Sequence, residues 1–161
     1  MELFVIRHAI AVPGSMLLAD ADRPLSPKGR ERFSQAVLGL QRLKIRFDRL
    51  YHSPWLRAVE TAELLAPVLE GKAVCSPALA RAPSQDLLDA LVGTRVALVG
   101  HEPWVVELVT WLTTGAPPHG SVFAFKRGGI AWLEGQPQPG RMMLRAFLPP
   151  KVLRELGKGR R

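Results

Sequence analysis

Two short runs, Leu3-Phe4-Val5-Ile6 and Val96-Ala97-Leu98-Val99, are apolar at every position, and each ends abruptly, on Arg7-His8 and Gly100-His101. An unbroken apolar run of this length reads as a strand covered on both faces, and such strands belong to parallel sheets flanked by helices. The stretch between them keeps to that plan. A polar loop broken by Pro13, Gly14 and Pro24 leads to Ser26-Pro27, an N-cap followed by proline at the first helical position. A helix from Pro27 to about Leu43 is predicted, with Phe33, Ala36, Val37, Leu40 and Leu43 forming one stripe. Phe47–His52 reads as the second strand. Ser53-Pro54 repeats the cap-and-proline signal ahead of a second helix with its buried face at Leu56, Val59, Ala62, Leu65, Ala66 and Leu69.

Lys72–Cys75 makes a third strand, Gln85–Leu91 a brief helix, and Arg95–Val99 the fourth strand. Glu102–Thr113 is a further helix with Pro103 in its first turn. Val122–Phe125, Ile130–Leu133 and Met142–Leu148 alternate like strands of a meander with glycine turns. The whole predicts an α/β fold, a three-layer α/β/α sandwich on a mixed, mostly parallel central sheet.

At 161 residues the chain has room for one cored domain, taken as residues 1–150, followed by a basic tail, 151–161. Its apolar runs fall short of the roughly 20 residues that a bilayer span needs, so a soluble protein is expected, with no membrane partner. The opening Met1-Glu2-Leu3-Phe4 lacks the basic start of a secretory signal, and a cytoplasmic location is expected. Cys75 is the single cysteine, which fits a reducing compartment and excludes a cysteine-based zinc site. The net charge of +8 raises the question of nucleic acid. Half of that excess, however, lies in the last eleven residues, where Lys151, Arg154, Lys158, Arg160 and Arg161 face only Glu155. Such a tail is expected to hang in solvent, and no nucleic-acid-binding spacing accompanies it, so nucleic acid is not the favoured partner.

In open α/β sheets, ligands sit beyond the carboxyl ends of the strands. The first strand delivers Arg7 and His8 to that edge, the second delivers Ser53 with Arg57 just beyond, and the fourth delivers His101. Guanidinium forks grip phosphoryl oxygens, and a neutral imidazole is a nucleophile for phosphorus. The set reads as phosphoryl transfer. The helices beginning near Ser53 and Glu102 would point their amides at the same anion. No phosphate loop and no carboxylate pair for magnesium is evident, so no metal and no cofactor is expected. His52 and His119 have no comparable company and are taken as structural or exposed.

These elements resemble those of the histidine phosphatase (phosphoglycerate mutase-like) superfamily. The resemblance rests on Arg7-His8-Ala9, Pro24-Leu25-Ser26 with Gly29, Ser53-Pro54 with Arg57-Ala58 and Thr61-Ala62, and Gly100-His101-Glu102-Pro103, in that order over residues 1 to about 113. The short chain and Asp22-Arg23-Pro24-Leu25 look most similar to its SixA-like phosphohistidine phosphatase branch. The resemblance implies that His8 accepts the phosphoryl group, that Arg7 and Arg57 hold its oxygens, and that His101 completes the cationic pocket.

Many relatives carry a glutamate as general acid after the third strand. Here Asp86 is the one carboxylate in that loop, and Glu102 is a second candidate beside His101. An alkoxide leaving group needs such an acid, whereas an imidazole with a pKa near 6.5 leaves without one. The expectation is therefore a metal-independent phosphatase that removes phosphate from phosphohistidine on a protein, such as a histidine-phosphotransfer protein. A phosphomonoesterase for a small phosphorylated metabolite, with Asp86 or Glu102 as acid, is the alternative. A non-catalytic phosphate- or polyanion-binding protein is a third reading.

Overall fold

Strand β1 (Glu2–Arg7) shows directly how the chain builds its layers, because side chains alternate across a strand. Phe4 and Ile6 enter one core cluster, with Phe33, Leu40, Phe47 and Leu50, while Leu3 and Val5 enter a second, with Leu98, Val105, Leu108 and Leu112. A run apolar at every position is thus a strand with helices on both faces, each fully buried side chain contributing about 1.5–3 kcal/mol. The computed structural model describes residues 1–116 and 123–159.

Among the described residues six strands form one sheet, in the order β3-β2-β4-β1-β5-β6. Strands β2 (Phe47–His52), β3 (Leu69–Cys75) and β4 (Arg95–Gly100) run parallel to β1, and β5 (Ile130–Gly135) and β6 (Met142–Leu148) add an antiparallel hairpin beside it. Helices α1 (Pro27–Arg42), α2 (Leu56–Leu64) and the last helix flank the first core; α3 (Gln85–Asp89) and α4 (Trp104–Thr114) flank the second. The expected three-layer sandwich on a mixed sheet is the fold. Because α1 and α4 leave β1 and β4 toward opposite faces, the carboxyl edge between those two neighbours opens into a crevice.

The inward face of α2 carries Arg57, Ala58, Thr61 and Ala62, with the expected Leu56 and Ala66 exposed, and four further local readings change. Ser26 caps α1 as expected, its Oγ accepting Gly29 N–H at 3.0 Å. Ser53 does not repeat that role: α2 begins at Leu56, and Ser53, fully buried, is taken up by His101 instead. Strand β3 starts at Leu69 rather than Lys72; Gly71 has no Cβ, and the Asp48 carbonyl lies where one would project. Of the expected strand Val122–Phe125, Val122 lies outside the described residues and the remainder is not strand. Phe125 turns inward there against Phe123 and Phe147.

The fourth concerns the C-terminus. Residues Pro150–Lys158 form helix α5 rather than a solvated tail. Leu153 is fully buried in the first core, and its carbonyl fills the space where Gly39 of α1 would carry a Cβ; Gly157 meets the Gln35 carbonyl in the same way. Two glycines let the helix backbones touch. The basic side chains of α5 ride on its outer face, while its apolar face is part of the core. Leu153→Ala should lower the unfolding free energy by about 2–5 kcal/mol, read by chemical denaturation. A loss under about 0.5 kcal/mol would mean that α5 is a loosely attached appendage.

Candidate active site

Arg7 and Gly100 are register partners at the ends of β1 and β4, so the next residue of each strand, His8 and His101, emerges beside the other. Their ring centroids lie 5.0 Å apart. On the far side of β4, His52 pairs with Val99, which sets Ser53 next in the same row, its Oγ 2.8 Å from His101 Nε2. Three strands deliver three adjacent polar groups, all buried.

His8 Nδ1 lies 2.7 Å from the Ala9 carbonyl. A carbonyl oxygen only accepts, so Nδ1 carries the proton and Nε2 keeps its lone pair. Arg57 Nε donates to that lone pair at 3.2 Å. The rest of the guanidinium is held by Asp20, whose carbonyl accepts from one terminal nitrogen and whose carboxylate accepts from the other at 2.9 Å. The Trp55 ring fills the space between two members of the cluster, 4.6 Å from the Arg57 guanidinium and 4.4 Å from the His101 ring. One turn after Arg57, Thr61 Oγ1 donates to the Arg57 carbonyl at 2.6 Å and accepts Ala9 N–H at 3.0 Å. That pair of bonds ties α2 to the backbone beside His8.

Arg7 donates to the Phe125 carbonyl at 2.6 Å and pairs with Glu102 at 2.7 Å. Its Nε and the His101 Nδ1 are buried with no hydrogen-bond partner among the described residues. Arg7, His8, Arg57 and His101 are therefore gathered, with Glu102 at their rim. Asp86 is not among them: it sits exposed in the first turn of α3, where a carboxylate favours the helix dipole. His52 turns its Nδ1 to the Ser53 carbonyl, outside the cluster, and His119 lies outside the described residues. Asp20, Trp55, Thr61 and Arg127 were not singled out from sequence. Thr61 stands in the quoted Arg57-to-Ala62 stretch, and Asp20 three residues before Arg23 is spaced for the ion pair it makes, but nothing local to either directs it to His8.

A model of the histidine phosphatase superfamily (branch 1) matches residues 3–80. An uncharacterized protein of Picosynechococcus sp. is 33% identical over 141 residues, spanning 83% of this chain and 84% of that protein. The chain belongs to the histidine phosphatase superfamily.

Among solved structures, that of the protein histidine phosphatase SixA complexed with tungstate is 26% identical, with a TM-score of 0.77 over 95% of this chain and 99% of that one. The match agrees with the SixA-like branch. An α-ribazole-5′-P phosphatase from Escherichia coli shares the fold alone, at 16% identity, a TM-score of 0.73, and coverage of 93% and 98%. The present chain is a phosphatase of this superfamily, and no helix among its described residues is long and apolar enough to cross a membrane.

In this phosphatase, burial dominates the electrostatics of both site histidines. It pushes His8 down to about 3, reinforced by the positive charges of Arg57 and Arg7 and only partly opposed by the Ala9 carbonyl. His101 is likewise lowered to about 3, by burial first and then by Arg57. Both are neutral near pH 7. Burial also lowers Arg7 and Arg57, and the exposed Arg127 guanidinium is close enough to add to that effect on both. Asp20 is held below the usual carboxylate range by Arg23 and Arg57.

Between pH 6.5 and about 3 the unfolded chain takes up protons on positions 8 and 101 that the folded chain refuses. Stability should therefore fall as pH drops through that window and be insensitive to these groups above it. Imidazole resonances of His8 and His101 should show no titration between pH 7 and 5; a midpoint near 6.5 for either would contradict the burial argument. Asp20 occupies Arg57 donors that an anion bound there would need, so on that reading Asp20→Asn should tighten inorganic phosphate binding by about two- to tenfold in calorimetric titration. Weaker binding would instead make Asp20 the residue that aims Arg57.

Proposed function

We propose that this phosphatase hydrolyses phosphohistidine on proteins by way of a phosphorylated His8. What carries the reading is the disposition of the carboxylates nearest His8: Asp20 is clasped by Arg57 and Arg23, and Glu102 by Arg7, so neither stands as a free acid over the reacting centre. A substrate whose leaving group needs no protonation suits that arrangement. Transfer from one imidazole to another is close to symmetric in energy, because bond broken and bond formed are both P–N.

In this scheme the substrate phosphoryl group displaces Asp20 from Arg57, Asp20 staying paired with Arg23, and lies between Arg7 and Arg57. The His8 Nε2 lone pair, uncovered as Arg57 turns to the phosphate, forms a bond to phosphorus while the substrate imidazole, protonated on its other ring nitrogen, departs as neutral imidazole with the bonding pair. Water then attacks phosphorus, the bond to His8 Nε2 breaks, and inorganic phosphate leaves. The Ala9 carbonyl keeps the Nδ1 proton in place through both steps, which also supports the positive charge that develops on the ring. Ser53 Oγ accepts Trp55 N–H at 3.2 Å, leaving its own proton for His101 Nε2. His101 then carries its proton on Nδ1, where it is free to meet a phosphate oxygen, as is the unpartnered Nε–H of Arg7.

His8→Ala should abolish an acid-labile, base-stable phosphoenzyme and lower kcat on phosphohistidine by more than about 10³, and Arg57→Ala should cost about 10²–10³. Glu102→Gln and Asp86→Asn should each change that rate by less than about tenfold. The second reading, a phosphomonoesterase, draws on Glu102, whose carboxylate at the rim, 34% exposed, could be freed from Arg7 when phosphate binds. A panel of sugar and nucleotide phosphates decides: higher kcat/KM on an ester than on phosphohistidine, lost in Glu102→Gln, would replace the first reading with the second.

A further inference from the structure

Helix α5 does more than close the core. Its outer face and that of α1 enclose an open trough lined by Lys28, Arg32, Lys151, Arg154 and Lys158, with Glu31 and Glu155 as the acidic members. Arg32 and Arg154 also line an adjoining depression that reaches Ala9 and Arg127. Ala9 follows His8 in the chain, and Arg127 is the guanidinium that acts on both Arg7 and Arg57. The two depressions share Arg32 and Arg154, so a positive stripe runs from beside Ala9 and Arg127 along the first half of α1 and the length of α5. Of its cations, Lys158 is paired with Glu155 at 2.9 Å, while Lys28, Arg32, Arg127, Lys151 and Arg154 have no ion pair among the described residues.

We propose that this stripe is the docking surface for an acidic protein that carries the phosphohistidine, a conclusion that rests on the function proposed above. Charge complementarity selects the partner class. The trough, about 630 Å³ and open to solvent along its length, is broader than a single small anion needs and offers its cations to the face of a partner. Nucleic acid fits less well: no aromatic side chain lines the trough on which a base could stack, and Glu31 and Glu155 would repel a uniformly negative backbone. Those same carboxylates suit a protein surface, where an acidic face carries an occasional lysine or arginine. A partner seated along α1 and α5 has its phosphorylated side chain directed past Arg127 toward His8.

The surface also explains why charge accumulates on α5 without disturbing its packing. Lys28 and Lys151 occupy the second position of their helices, where a carboxylate would suit the helix dipole better than an ammonium group does. Their placement runs against local helix stability, as expected of residues that serve a partner.

The test is the triple variant Lys28→Glu, Arg32→Glu, Lys151→Glu, at exposed helical positions where glutamate is well tolerated. Two substrates are compared: free phosphohistidine, and an acidic histidine-phosphotransfer domain phosphorylated with phosphoramidate. Parent kcat/KM on the domain should fall steeply between about 0.05 and 0.5 M salt. The variant should lose at least about tenfold on the domain at low salt, with a flattened salt dependence, and stay within about twofold of the parent on free phosphohistidine. Equal activity of parent and variant on the domain overturns the docking surface while leaving the function intact. A parallel loss on both substrates also overturns it, since the stripe would then act on the chemistry. Tight binding of a single-stranded RNA oligonucleotide, lost in the variant while turnover of the domain persists, assigns the stripe to nucleic acid instead. A parent that hydrolyses neither substrate removes the proposed function itself, and the docking surface with it.

Discussion

The in-register parallel pairing of β1 with β4 is the constraint on which the site depends. Strands that pair in register end at the same level, and Arg7 opposite Gly100 makes His8 and His101 neighbours although they lie far apart in the chain. Each imidazole has a partner from a distant segment, Arg57 for His8 and Ser53 for His101. His8 is oriented by the next carbonyl in its chain, and His101 by Ser53, which arrives from β2 on the other flank of β4. The apolar runs that make these strands buried on both faces also bury the residues just past their carboxyl ends, so both histidines are neutral. A slip of one residue between β1 and β4 would separate the rings and send alternate core residues to the wrong layer.

The cations of the site are balanced from within. Arg57 divides its donors between His8 and Asp20, and Arg7 between Phe125 and Glu102. Leaving guanidinium groups unpaired in a half-buried crevice would be costly, and a charge-assisted hydrogen bond offsets that cost. The internal carboxylates thus take up donors of both guanidinium groups. On the proposed function, an incoming phosphoryl group would exchange one set of charge-assisted bonds for another, so affinity would be set by a difference rather than by the full strength of two forks. Arg127, exposed and without an ion pair among the described residues, adds positive potential that such an exchange does not have to neutralise first.

Much of this was legible in the chain. Ser26-Pro27 marked the start of α1, the unbroken apolar runs marked β1 and β4, and the residue after each strand named three of the side chains at the crevice. The failures share a cause. Ser53-Pro54 reads as a helix cap because local sequence cannot show that the hydroxyl is claimed by a histidine 48 residues away. Residues 151–158 read as a solvated tail because their charges are conspicuous, whereas Leu153 counts as core only once Gly39 and Gly157 let α5 lie against α1. Asp20 belongs to a loop without periodicity, and its partners stand on α2 and further along the same loop.

Sequence by itself determined the strand and helix alternation, the carboxyl-edge position of Arg7, His8 and His101, and the cationic and imidazole character of that edge. Those come from periodicity, capping chemistry and side-chain charge, all of which act over a few residues. Tertiary structure alone decided which strands became neighbours, which proton His8 keeps, which carboxylates hold the arginines, and that the C-terminal cations line a trough against α1. Each of these depends on contacts between segments far apart in the chain, and the free energy of such contacts comes from burial and register that no local pattern encodes.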